Sequence, residues 1–210
     1  MRKSVWFLIT VIGLASCTMK STSNMNVFET SANGNLHVAK KEFKKSVQHS
    51  NVSIDTKKRK QTIIGFGGAF TEASAHNINL LGSENRSAII AAYFGEEGAA
   101  YSLTRTHMNS CDFSISNYSY TPIEGDTALE HFTIEPDRAD ILPMIKDAQG
   151  VSKDGFKIFG SPWSAAPWMK DNNNYVGGKL KKEYYDTWAL FFSKYVDAYR
   201  AEGIDIWGFT

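Results

Sequence analysis

The chain has 210 residues, 42% of them hydrophobic and 13% aromatic, with 23 basic and 22 acidic side chains and a net charge of +1. That length suits one ordinary domain around a single core. Neither sign of charge is in excess, so the composition offers no case for nucleic acid or for an acidic partner.

The chain opens "MRKSVWFLITVIGLASC": Arg2 and Lys3, an apolar run from Val5 to Leu14, then small residues. Charge, length and order are those of a secretory signal, too short to anchor stably across a bilayer. The ending "LASC" resembles a bacterial lipobox, which implies cleavage before Cys17, a lipid on that cysteine and a mature chain outside the cytoplasm. The alternative is an ordinary signal cleaved nearby. Residues 18–25 read as a polar tether. With Cys17 lipidated, Cys111 has no partner for an intramolecular disulfide, and a packed, inert thiol is expected there.

Asn33-Gly34 stands between two alternating runs, a hairpin signal, and "VSIDTKKRKQTIIGFGG" reads as strand, basic turn, strand. Residues 26–60 are therefore expected to be a β segment. From residue 61 the rhythm changes. "TIIGFGGAF" is a strand closed by glycines, followed by a helix capped by Thr71. A second helix is expected from an N-cap at Ser83 to Gly95, with Ala88, Ile89, Ala92 and Tyr93 on its packed side. "AYSLTRTHM" is a strand. A helix with Pro136 near its start and Gly150 closing it follows, then the strand "FKIFGSPW". A long amphipathic helix ends at Gly203, and "IDIWGFT" is a strand. Alternation of strand and helix implies parallel strands with right-handed crossovers. Four such strands fit either a small open sheet or the first half of an eight-fold barrel.

A dinucleotide fold would need a third glycine where "GFGGAF" has Phe70, so that reading fails. The five histidines are scattered, none paired at ligand spacing, and neither a metal nor a cofactor is expected. Functional residue types gather instead where strands end. The second strand of the alternation runs into Arg105, His107 and Asp112, and the third into Trp163 and Trp168. In a barrel such positions line the active site. A carboxylate accepts sugar hydroxyls and an indole offers an apolar face with one N–H donor. A structural Arg105–Asp112 ion pair and core-filling tryptophans remain the alternatives.

"GFGGAFTEASAHNI", "YSLTRTHMNSCDFS", "FGSPWSAAPWMK" and "YYDTWALFFSKYVDAY…IDIWGFT" resemble glycoside hydrolase family 30, the glucosylceramidase-like and β-1,6-glucanase-like enzymes. The resemblance covers residues 60–210 and implies a (β/α)₈ barrel flanked by a β-sandwich to which residues 26–60 contribute. It implies a retaining β-glycosidase acting on β-glucosidic bonds through two glutamates, one acid/base and one nucleophile. It gives Asp112 and Trp163 sugar-binding roles, sets Arg105 beside the catalytic carboxylates, lets Phe113 shape the same wall and leaves Trp168 and Glu72 to packing or support. In this family an Asn-Glu-Pro motif follows strand four, so residues 61–210 are expected to be strands one to four of the barrel, without either glutamate. Such a half-barrel is expected to be poorly soluble and inactive alone. A non-catalytic carbohydrate-binding lipoprotein is the rival reading; partners are a β-glucan or glucosyl lipid and a bacterial membrane reached through Cys17.

Overall fold

A computed structural model describes residues 55–210 and, before them, the backbone of two short strands. The chain divides into two compact units, residues 1–59 and 60–210. In the first, β1 (Val27–Glu29) pairs antiparallel with β2 (Ala39–Lys41), Phe28 opposite Lys40. Asn33-Gly34, the signal and lipobox residues including Cys17, the tether and the expected strand at residues 52–54 lie outside the described residues. After them "DTKKRK" makes a turn, with the Lys58 amide donating to the Asp55 carbonyl at 3.1 Å.

The second unit is a four-stranded parallel sheet in the order β3 (Ala69–Phe70), β4 (Leu103–Met108), β5 (Lys157–Pro162) and β6 (Ile206–Phe209). Sequential order with a helix in each crossover is the topology of a partial (β/α) barrel, one of the two arrangements that the alternation allows. The first strand is much shorter than the sequence suggests, because residues 61–68 form no regular ladder. A Cβ on Gly67 would fall on the Leu103 carbonyl oxygen, so only glycine allows this approach. The Phe66 carbonyl then takes two amides, from Ser102 at 2.9 Å and Leu103 at 3.2 Å, and the strand rhythm is lost.

Helix α1 (Glu72–Asn79) begins at Thr71, whose hydroxyl accepts from the Ser74 amide. Helix α2 (Ser83–Phe94) departs from expectation at its start and on its packed face. Gly82 is the N-cap and Ser83 the first helical residue. Ile90 and Phe94 are buried, while Ala88, Ala92 and Tyr93 are exposed. Alanine and isoleucine ring this helix, so spacing alone does not select a side; the aromatic neighbours do. Phe94 stacks on Phe70 at 5.3 Å and meets Phe156 at 4.9 Å. Pro136 starts a 3₁₀ turn, Glu135–Arg138, and α3 (Ile141–Val151) begins only afterwards and passes through Gly150. Helix α4 (Tyr185–Ala201) closes in a Schellman arrangement. Gly203 takes φ +78°, its amide donates to the Arg200 carbonyl at 2.9 Å, and the Ile204 amide to the Tyr199 carbonyl at 3.0 Å.

In-register neighbours in a parallel sheet share a face. Phe70, Thr106, Gly160 and Phe209 therefore point one way, and Ala69, Arg105, Phe159 and Gly208 the other. The first face carries the helices: Phe70 meets α2, and Phe209 meets Phe192 of α4 at 4.9 Å. Between the long loop after β4 and α4 lies an aromatic core of Tyr120, Phe191, Tyr195 and Tyr199, all buried. Removing the Phe191 ring from water contributes about 1.5–3 kcal/mol. Arg105 thus stands on the face away from the helices, where a barrel keeps its interior.

Candidate functional site

The site forms where β4 and β5 end. After Met108 the chain turns at Asn109, which adopts φ +62°, a left-handed conformation that asparagine tolerates better than branched residues. Its buried side chain joins three segments. Nδ2 donates to the Ser164 carbonyl at 2.8 Å, and Oδ1 accepts from the Tyr120 amide at 2.9 Å and from the Ser119 hydroxyl at 3.4 Å. The loop after β4 is therefore bound to the loop after β5 at their roots, beside Trp163.

His107 secures the same corner. A carbonyl can only accept, so His107 Nδ1–H donates to the Asn109 carbonyl at 2.7 Å, leaving Nε2 to accept from the Glu72 amide at 3.3 Å. Both ring nitrogens are used in the neutral tautomer, and burial lowers the histidine pKa from its ordinary value. The first turn of α1 clamps the loop further along. Glu72 Oε2 accepts from the Ile115 amide at 3.1 Å, and the Ala73 amide donates to the Phe113 carbonyl at 2.9 Å. Glu72 is thereby buried in support of the loop.

Between these anchors Cys111–Ser114 forms a tight turn, the Ser114 amide donating to the Cys111 carbonyl at 3.0 Å. Asp112 and Phe113 stand at its tip, both exposed. Cys111 Sγ accepts from the Phe113 amide at 3.4 Å, and burial raises the thiol pKa. It has no bond to His107, whose ring nitrogens are engaged elsewhere, so its surroundings hold the thiol protonated and unreactive.

Of the four residues expected to form the sugar-binding wall, Arg105, Asp112, Phe113 and Trp163, three meet here. The Trp163 Nε1–H donates to Asp112 Oδ1 at 3.1 Å, and the Arg105 guanidinium lies over the Trp163 ring, 5.4 Å from its centroid. Arg105 and Asp112 form no direct ion pair; the indole links them. Trp163 remains 41% exposed, too open for a core-filling residue. Phe113 behaves differently: its side chain is 59% exposed, while its backbone holds the turn. Trp168 is buried, donating to the Thr121 carbonyl at 3.0 Å and meeting Tyr184 edge-on at 5.0 Å. Among the described residues no cluster of three or more His, Cys, Asp or Glu side chains is suited to hold a metal ion.

Sequence reasoning missed Asn109, Lys170 and Asp137. Lys170 is buried next to Trp163's loop, and Asp137 is fully buried against three tyrosines. The local signal for Asn109 was its residue type at the end of a strand; the other two depend on partners distant in sequence.

A four-stranded parallel sheet helical on one side, with a cation, an indole and a carboxylate in contact beside its C-terminal rim, is part of a (β/α) barrel with polar and aromatic groups gathered where such barrels carry their active sites. Residues 63–210 match the glycosyl hydrolase family 30 TIM-barrel domain, and the chain belongs to that family. It is 35% identical over 165 residues to the lysosomal acid glucosylceramidase of Mus musculus, covering 76% of this chain and 32% of that protein. It is 34% identical over 155 residues to the endo-1,6-beta-D-glucanase of Neurospora crassa, covering 70% and 32%. Among solved structures SrfJ from Salmonella typhimurium superposes with a TM-score of 0.68 at 34% identity, covering 71% of this chain and 34% of that one. The chain thus spans about a third of the length of the curated relatives it matches.

Proposed function

We propose that these residues supply the sugar-binding wall of a retaining β-glycosidase that hydrolyses β-glucosidic bonds. The observation that carries the reading is the contact chain Arg105–Trp163–Asp112, which runs from within β4 to the loops that follow β4 and β5. Its chemistry suits a pyranose. Asp112 Oδ1 is held by the indole N–H, and the exposed carboxylate retains capacity to accept a sugar hydroxyl. The open indole offers an apolar surface to the ring's C–H face. Arg105 adds a fixed positive charge to this wall and lies over the indole.

In a retaining mechanism two carboxyl groups stand about 5–5.5 Å apart; one protonates the leaving oxygen while the other attacks the anomeric carbon. Glu72 serves neither role in this reading, because it is buried and engaged by the Ile115 amide. We assign both groups to segments outside these 210 residues, in keeping with the third of its relatives that the chain spans. β-1,6-Glucan and glucosylceramide-like lipids are the candidate substrates. The N-terminal segment supports an exported protein held to a bacterial membrane by a lipid on Cys17.

Turnover of an aryl β-glucoside by the product of the complete reading frame tests the activity, and calorimetric binding of methyl β-glucoside tests the wall. Trp163→Ala is expected to abolish sugar binding without lowering the melting temperature. Retained affinity in that variant, or collapse of its fold, overturns the assignment. Separate assays on β-1,6-glucan and on glucosylceramide choose the substrate, and persistence of metabolic lipid labelling in Cys17→Ser refutes the anchor.

A further inference from the structure

Beside Trp163 the loop following β5 folds back on itself and borders a second, open space. It is a cleft of about 420 Å³, bordered by Trp163, Lys170, Tyr175, Gly178, Leu180 and Trp188 among others. Two indoles and one phenol line it beside small, polar and aliphatic residues, and one cation enters the wall. Lys170 is only 6% exposed, yet its ammonium meets two neutral acceptors: the Ser164 hydroxyl at 2.8 Å and the Tyr175 carbonyl at 3.0 Å.

An ammonium has three donors. Among the described residues the third has no acceptor, and no carboxylate forms an ion pair with Lys170. The nearest acid in sequence, Asp171, directs Oδ1 to the Lys179 amide at 2.9 Å. Buried charges are ordinarily paired, so a positive charge held by neutral oxygens beside this cleft favours an incoming anion. Burial lowers the lysine pKa, with Asp171 opposing, as expected of an ammonium short of counter-charge.

We propose that this cleft is a second sugar subsite, continuous with the first through Trp163, and that it selects a pyranose carrying a carboxylate, which Lys170 receives. The subsite rests on the glycosidase reading for the first ring but has its own signature, preference for a charged second ring. Trp163 and Trp188 supply apolar surface to that ring, and Lys170 supplies the one directional contact. A neutral sugar fits the same space but gains only a neutral-acceptor hydrogen bond. Charge-assisted hydrogen bonds are roughly twice as strong as neutral ones, and the expected preference is about tenfold.

The test compares glucuronosyl-β-1,6-glucose with β-1,6-glucobiose by calorimetry on the full-length protein, with methyl β-glucoside as reference. The acidic disaccharide is expected to bind about tenfold tighter than the neutral one, and Lys170→Met is expected to erase that difference. Equal affinity of the two disaccharides overturns the proposal, as does a preference that survives in Lys170→Met. Tyr175→Ala keeps the backbone carbonyl that holds Lys170 and removes only a wall. It is expected to weaken both disaccharides alike while preserving their ratio, and loss of the ratio there counts against Lys170 as its source. Failure of methyl β-glucoside to bind overturns the glycosidase reading of the first site; the ratio is read separately.

Discussion

Replacing Asp137 by asparagine should change how stability depends on pH. The Asp137 carboxylate is completely buried and receives three phenols: Tyr120 and Tyr199 on Oδ2, both at 2.6 Å, and Tyr118 on Oδ1 at 3.3 Å. Burial raises its pKa from the ordinary 3.8 to about 6, against the three hydrogen bonds, which lower it; the Glu72 charge adds to the rise. The sign follows from proton linkage. Below pH 3.8 the carboxyl is protonated in folded and unfolded chains alike, and its stabilising contribution is fully present. As pH climbs from 3.8 to 6 the unfolded chain ionises first, and that contribution is lost. The interval corresponds to about 3 kcal/mol. Other carboxylates titrate in the opposite sense: Glu202, for instance, is held low by hydrogen bonds from Lys146 and Arg138. The informative quantity is therefore the difference between wild type and Asp137→Asn, measured by urea denaturation from pH 3.5 to 7. Relative to the variant, the wild type should lose about 3 kcal/mol across that range. A difference constant with pH would refute the claim that desolvation outweighs the three phenols.

Asn109→Ala should cost about 3 kcal/mol, since it leaves the buried Tyr120 amide and Ser164 carbonyl without their partner and places alanine at φ +62°. Asn109→Gly should recover only the conformational part in chemical denaturation, and methyl β-glucoside affinity should fall in both variants. Gly67→Ala should destabilise by about 1–3 kcal/mol, because the new methyl meets the Leu103 carbonyl, and denaturation of an otherwise unchanged chain measures it. Cys111 should alkylate with iodoacetamide more slowly at pH 7.5 than an unstructured cysteine, because burial holds its thiol protonated; peptide mapping reads the rate at that residue.

Much of this architecture is visible before any coordinates. Helix α1 announces itself through Thr71, and α4 through its stripe ending in Gly203, because a cap and a left-handed glycine act within a few residues. Arg105, Asp112 and Trp163 are legible for a related reason: parallel strands bring their C-terminal ends together, so chemistry collected there must converge. What escapes depends on distant partners. The packed side of α2 is chosen by Phe70 and Phe156, neither of them local to it. The contraction of β3 is imposed by the approach of Leu103. Asp137 resembles an ordinary acidic residue at a helix start until tyrosines from two other segments enclose it. Lys170 reads as a surface lysine until its loop returns over it.

The Asn109 junction also bears on how this scaffold can be altered. Since one amide side chain ties Ser164 to Tyr120 at the base of two long excursions, their outer portions can be exchanged as grafts while the frame under them stays put. A library that varies residues 171–179 but spares 107–110 and 162–164 would alter the outer loop and leave the junction beneath it in place.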